Sequence, residues 1–265
     1  MMKIGFIGCG NMGQALARGI IAAAGAKNVL VMDNDTDKAK AFCLETQAEA
    51  KTKEEIIKES KYIFLAVKPQ VLPSLAEEIR PMLKKRNEPF VLVSMAAGIR
   101  TERIKELFGD FPVIRIMPNL PVSVGEGMIL LTHKDVSSED IREFDLIMNK
   151  CGNMTVLDEE LFDSGTSVSG CGPAFVCLFA SALAKAGVSC GLSEENSLEL
   201  ALQTVLGTAK LLKDKKLDPN ELKTAVCSPG GSTIEGVKVI ENSTFEDIVL
   251  NAVNASYKRN KELGQ

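Results

Sequence analysis

Gly8, Gly10 and Gly13 interrupt an apolar run that begins at Lys3, and their spacing is Gly-x-Gly-x-x-Gly. Between a strand and a helix, that spacing lets a backbone close around a pyrophosphate. The first glycine permits the tight turn, the second lets the backbone approach the phosphates, and the third lets the helix pack near the sheet. The helix start adds free N–H groups and the positive end of the helix dipole. Cys9, Asn11 and Met12 complete the loop and join the glycines as candidate cofactor contacts. Asp33 ends a second apolar run, Val29–Asp33, twenty residues past Gly13. A carboxylate there can bond a ribose diol and repel a 2′-phosphate. A ligand-free glycine turn is the competing reading. The flanking strand and helix, together with Asp33, favour a dinucleotide.

In an open parallel sheet, ligands lie past the carboxyl ends of the strands. Those positions carry Val67, Lys68 and Pro69, then Ala96, Ala97 and Gly98, then Asn119. All are candidate cofactor contacts. The small residues at 96–98 admit a flat ring near the backbone, and a simple tight turn is the alternative. A different chemistry is written at Ser228-Pro229-Gly230-Gly231-Ser232-Thr233. Two glycines followed by hydroxyl residues at a helix start present backbone N–H groups as an anion nest, for which a carboxylate is a natural ligand. An ordinary interhelical turn with a Ser or Thr cap is the alternative there. Ser169-Gly170-Cys171-Gly172-Pro173 reads as a glycine-rich turn opening a long helix.

These residues need elements to hold them. Through the first half, short apolar strands alternate with amphipathic helices, which implies a parallel, doubly wound sheet. Strands at Met128–Thr132 and Met154–Leu157 extend its edge. Thr52-Lys-Lys-Glu55 reads as a capping box. After about residue 160, strand-like runs give way to apolar residues at helical spacing. The expected class is α/β, with a Rossmann dinucleotide-binding domain over 1–160 and an all-α domain over 161–265. The helical segment is apolar on several faces and short of a core of its own, so a homodimer is expected to bury it.

Composition narrows the rest. The chain has 265 residues, 45% hydrophobic and 25% charged, with a net charge of −4. That is the profile of a globular protein, and scattered Lys and Arg give no stripe for nucleic acid. No apolar run reads as long enough for a bilayer, and a strand starts at once, with no room for a leader. Seven cysteines form no Cys-x-x-Cys pair, which fits reduced thiols and a cytoplasmic location. With a single histidine, His133, no metal site is expected. His133 itself reads as a surface turn residue without a catalytic role.

Taken in order, these segments resemble the pyrroline-5-carboxylate reductase family over essentially the whole chain. The matching stretches are Ile4–Gly13, Ala66–Gln70, Met95–Gly98, Arg115–Pro121 with Gly125–Gly127, Ser169–Phe175 and Ala225–Thr233. The most specific is Ser228-Pro-Gly-Gly-Ser-Thr233. Cys171 stands where serine is common in the family, and Cys227 where serine is also found. The resemblance implies NADH or NADPH on the first domain and a helical domain interlocked with a second subunit. Higher oligomers of that dimer stay open. It also implies an imino-acid substrate whose carboxylate is held by Ser228, Gly230, Gly231, Ser232 and Thr233. The implied reaction is reduction of 1-pyrroline-5-carboxylate to L-proline, the last step of proline biosynthesis. Thr233 is the expected hydrogen-bond donor to the ring nitrogen. A 3-hydroxyacid dehydrogenase would share the first half, but its catalytic lysine has no matching motif here. A non-enzymatic dinucleotide sensor is separated only by assay.

Overall fold

The computed structural model describes residues 2–263. Met1 and Gly264–Gln265, at the outer ends of the two expected domains, lie outside the described residues. The first half runs β1 (Lys3–Ile7), α1 (Asn11–Ala24), β2 (Val29–Met32), α2 (Thr36–Thr46), β3 (Glu49–Ala50), α3 (Lys53–Glu59) and β4 (Ser60–Leu65). It continues through α4 (Leu72–Lys84), β5 (Val91–Ser94), α5 (Thr101–Phe108), β6 (Val113–Pro118), β7 (Gly127–Lys134), α6 (Ser138–Met148) and β8 (Gly152–Val156). The eight strands form one sheet in the order β3-β2-β1-β4-β5-β6-β7-β8. All neighbouring pairs are parallel except β6 with β7.

Both faces of the sheet are covered, so its strands are apolar in nearly every position. One face packs Phe6, Phe64 and Ile116 against α1 and α6, and the other packs Leu65, Leu92 and Val113 against α3, α4 and α5. Phe6 and Phe64 pair across β1 and β4, with ring centroids 4.4 Å apart. The expected capping box of α3 is formed, with Thr52 and Glu55 each accepting from the other's backbone N–H. Two details differ from the sequence reading. β3 was missed because it is two residues long. His133 lies within β7, opposite Ile114, rather than in a turn.

The rest of the chain is helical: α7 (Phe162–Gly165), a π-helical turn at Thr166–Gly170, α8 (Gly172–Ser189), α9 (Glu194–Lys215), α10 (Pro219–Val226), α11 (Ser232–Glu241) and α12 (Phe245–Leu263). The glycine-rich turn expected at 169–173 is therefore helical backbone. Ser167 and Ser169 donate their hydroxyls to the carbonyls four residues back, Asp163 at 2.7 Å and Gly165 at 3.0 Å. Pro173, in the first turn of α8, has no N–H for the carbonyl of Ser169, and Asn119 Nδ2 donates to it instead at 2.9 Å. This continuity also corrects the reading that no apolar run is long enough for a bilayer. The helical run Glu159–Ser189 has 31 residues and a window of mean hydropathy 1.6, which meets that test by length and composition.

The chain divides into two compact units, residues up to 171 with those from 256 onward, and residues 172–255. The expected boundary lay at 160. Residues 161–171 stay with the first unit because its side chains hold them: Asn260 Nδ2 donates to Asp163 O and Ser167 Oγ. In the second unit, α8 and α9 form a hairpin along small residues. Ser197 Oγ donates to Ala184 O at 2.6 Å, and a Cβ on Gly187 would meet that hydroxyl at 2.1 Å. Ser193 caps α9 by accepting from Asn196 N–H.

Candidate active site

In the first unit the strand order reverses between β1 and β4, and the loops that follow these strands open a cleft of about 340 Å³. Gly8, Gly10, Asp33, Asn34, Val67 and Lys68 are among its lining residues. The glycines divide the work as their spacing predicts. Gly8 has φ +109°, and a Cβ there would lie 2.3 Å from Ala66 O. Gly13 packs against Gly8 O and Ala66 Cβ at 3.1 and 3.2 Å from its would-be Cβ. At Gly10 a Cβ would meet nothing within 4 Å. Gly10 thus leaves space on its ligand side, and it caps α1 without a side chain. The amides of Asn11, Met12 and Gly13 have no intrahelical acceptor, as at any helix start. Vacant space beside uncapped amides fits a pyrophosphate.

Asp33 is fixed in place. Its Oδ2 accepts from Cys9 N–H at 2.6 Å and its Oδ1 from Asp35 N–H at 3.0 Å. Cys9 therefore spends its amide on Asp33, and Gln14 Nε2 donates to its carbonyl. Burial and then the Asp33 charge push the Cys9 thiol up to about 11, so it is neutral and unreactive at physiological pH. Ala96, Ala97 and Gly98 form a reverse turn, with Ile99 N–H donating to Ala96 O and Gly98 at φ +76°. Turn and small surface coexist there.

A buried ion pair fixes that turn's continuation into α5. Glu159 accepts from Arg115 Nη1 at 2.7 Å, from Thr101 N–H at 2.8 Å and from Thr101 Oγ1 at 2.7 Å. The Arg115 guanidinium lies 4.5 Å over the Phe162 ring. Sequence reading missed this cluster, because nothing local links positions 101, 115 and 159. Asn119 is also held through its side chain. Its Oδ1 accepts from Met128 N–H and its Nδ2 serves Ser169 O, so the amide ties chain segments together. Both ends of its side-chain amide are engaged within the first unit.

In the second unit the hydroxyl-glycine segment forms the expected turn. Gly231 N–H donates to Ser228 O at 3.0 Å, and Gly230 has φ +72° after Pro229, the pattern of a type II turn. A Cβ on Gly231 would lie 2.5 Å from Ser228 Oγ, so the two residues pack closely across the turn. Gly231 caps α11 without a side chain. Ser232 and Thr233 open that helix, exposed. Backbone amides and the hydroxyls of Ser228, Ser232 and Thr233 make a compact set of donors for a carboxylate.

Fold and cleft define a dinucleotide-dependent oxidoreductase of the Rossmann type. Residues 3–98 match the family model described as NADP oxidoreductase coenzyme F420-dependent. Residues 159–263 match the one described as pyrroline-5-carboxylate reductase dimerisation. The pyrroline-5-carboxylate reductase of Aquifex aeolicus is 36% identical over 99% of this chain and 97% of its own length. The Plasmodium falciparum pyrroline carboxylate reductase, solved with NADP bound, is 34% identical over 100% of this chain and 98% of its own, with a TM-score of 0.83. The Coxiella burnetii enzyme superposes with a TM-score of 0.93 at 29% identity, covering 100% of this chain and 99% of its own. This chain belongs to the pyrroline-5-carboxylate reductase family.

Proposed function

We propose that the protein reduces 1-pyrroline-5-carboxylate to L-proline with NADH or NADPH. Family membership supports the reaction. The observation that carries the substrate's placement is the Ser228–Gly231 turn leading into the uncapped start of α11. Its amides hold the substrate carboxylate, with Ser228, Gly230, Gly231 and Ser232 as the holding residues. Gly8, Gly10, Asn11, Met12, Gly13 and Asp33 hold the dinucleotide, with Val67–Pro69 and Ala96–Gly98 beside it. Bound NAD(P)H supplies the hydride. The residues of the chain supply orientation, which can account for much of the rate. Thr233 Oγ1 has no hydrogen-bond partner among the described residues and is free to donate to the ring nitrogen. A hydroxyl is too weak an acid to do more than that. Asp33 favours NADH at least as much as NADPH.

The helical unit is proposed to form a homodimer, supported by the dimerisation family match and by its uncovered apolar residues. Seven free thiols support a cytoplasmic location. Steady-state oxidation of each dinucleotide, with and without the cyclic imine, tests the activity. Imine-dependent oxidation by at least one cofactor is expected, and none with either rejects it. Light scattering at micromolar concentration tests the dimer, and a single monomeric species rejects it.

A further inference from the structure

Beside the fixed carboxylate of Asp33 stands a cation that the Rossmann motif does not call for. Lys53 is the first residue of α3, and its Nζ pairs with Glu78 Oε2 on α4 at 2.5 Å. Both residues line the cleft with Asp33 and Asn34. A second depression adjoins that cleft, and the residues common to both are Met32, Asp33 and Lys53. Lys53 therefore stands at the end of β2, where the ribose of a bound dinucleotide falls. Helix stability does not explain it, because a first turn favours anions over cations. The cap of α3 is already supplied by Thr52 and Glu55. The Lys53 side chain is only 17% exposed, so it is held at the cleft rather than extended into solvent.

We propose that the Lys53–Glu78 pair sets the choice between NADH and NADPH. Lys53 is the cation common to the cleft and the depression beside it, where Lys68 lines only the first and Lys40 and Lys51 only the second, and Glu78 is the carboxylate that competes with a 2′-phosphate for it. Asp33 cannot turn aside, since both its oxygens are held by backbone amides. A 2′-phosphate must therefore be met by a cation nearby, and an ammonium freed from Glu78 provides one. The inference rests on the dinucleotide reading above but not on the identity of the imine.

The test separates the adenosine half from turnover. Calorimetric titration of the intact protein with adenosine 2′,5′-bisphosphate and with adenosine 5′-monophosphate gives two affinities and their ratio. Lys53→Met is expected to weaken the bisphosphate by about tenfold, the loss of one charge-assisted contact, and the monophosphate by less than about twofold. Glu78→Gln is expected to strengthen the bisphosphate by roughly threefold. Lys53→Arg should keep the wild-type ratio, which controls for folding, and thermal unfolding of all three variants checks it directly. Equal weakening of both ligands by Lys53→Met, or an unchanged ratio in Glu78→Gln, overturns the proposal. A ratio that responds while neither NADH nor NADPH reduces the imine rejects the proposed reaction instead. Imine reduction with a flat ratio leaves that reaction standing and rejects this role for Lys53.

Discussion

Phe6, Phe64 and Phe144 in the first unit are at most 1% exposed, whereas Leu178 and Val239 in the second are 71% and 72% exposed. Aliphatic residues are no scarcer in the second unit, where Ala, Val, Ile and Leu make up 33 of 84 residues against 57 of 181 in the first. The first folds it around a sheet covered on both faces. The second buries mainly Ala180, Ala184, Ser197 and Ala201, the small residues between α8 and α9, and leaves its large ones outward. A unit that spends small residues on its own seam and displays large ones is arranged to be completed by another surface. One half covers its core on both faces, and the other leaves large apolar residues uncovered, which fits the dimerisation family match over 159–263.

The sharpest way to break this contrast is to charge the displayed surface. Leu202 lines the groove between α8 and α9. Leu202→Asp is expected to abolish the dimer in sedimentation and to reduce turnover by at least about a hundredfold, the scale of a buried interface anchor. Cofactor affinity in the first unit should stay within about twofold. Loss of both together would mean that the units are not independent in this sense. Circular dichroism shows whether the helices persist.

Inside the first unit the expected damage is to stability. Glu159→Gln strips the charge partner from buried Arg115, whose side chain is 6% exposed. A loss of about 3 kcal/mol is expected in denaturant unfolding, because a buried guanidinium is left unpaired. A change under ~1 kcal/mol would show that solvent reaches Arg115 freely. Thr233→Ala in the second unit should leave unfolding and NADH binding unchanged and lower turnover on the order of tenfold to thousandfold. Wild-type turnover at saturating imine would leave orientation to the backbone alone.

The smallest effect concerns pH. Burial raises the Asp140 carboxyl, but hydrogen bonds from Lys61 and Ser137 outweigh it and hold the carboxyl below its usual range. Its contribution is full above the unfolded value, near pH 4, and fades as pH falls through the lower folded value. Asp140→Asn should cost less than about 1 kcal/mol at neutral pH, and the difference from wild type should vanish in strong acid. A difference that persists at the lowest pH would point to packing rather than charge.

The cofactor loop was legible in the sequence because its physics is local. Gly8, Gly10 and Gly13 act within one strand-turn-helix unit, and the structure gives each the space its spacing implies. The Ser228–Thr233 turn was legible for the same reason. What escaped was made by distance in sequence. Glu159 reaches Thr101 across 58 residues, and Asn119 reaches Ser169 across 50. β3 escaped through its length, and the helical backbone at 166–173 because its glycines and proline imitate a turn. Apolar residues on several faces signalled incomplete burial in the helical half, although they did not show where its small-residue seam would fall.

The bond from Asn119 to the Ser169 carbonyl has a consequence for how such chains can diverge. Proline at 173 withholds a donor from that carbonyl, and asparagine at 119 provides one, so the two positions share a single vacancy. Either residue changed alone alters the accounting for the other. Drift at 119 is therefore conditional on the state of 173, a case of epistasis between sites 54 residues apart in the sequence.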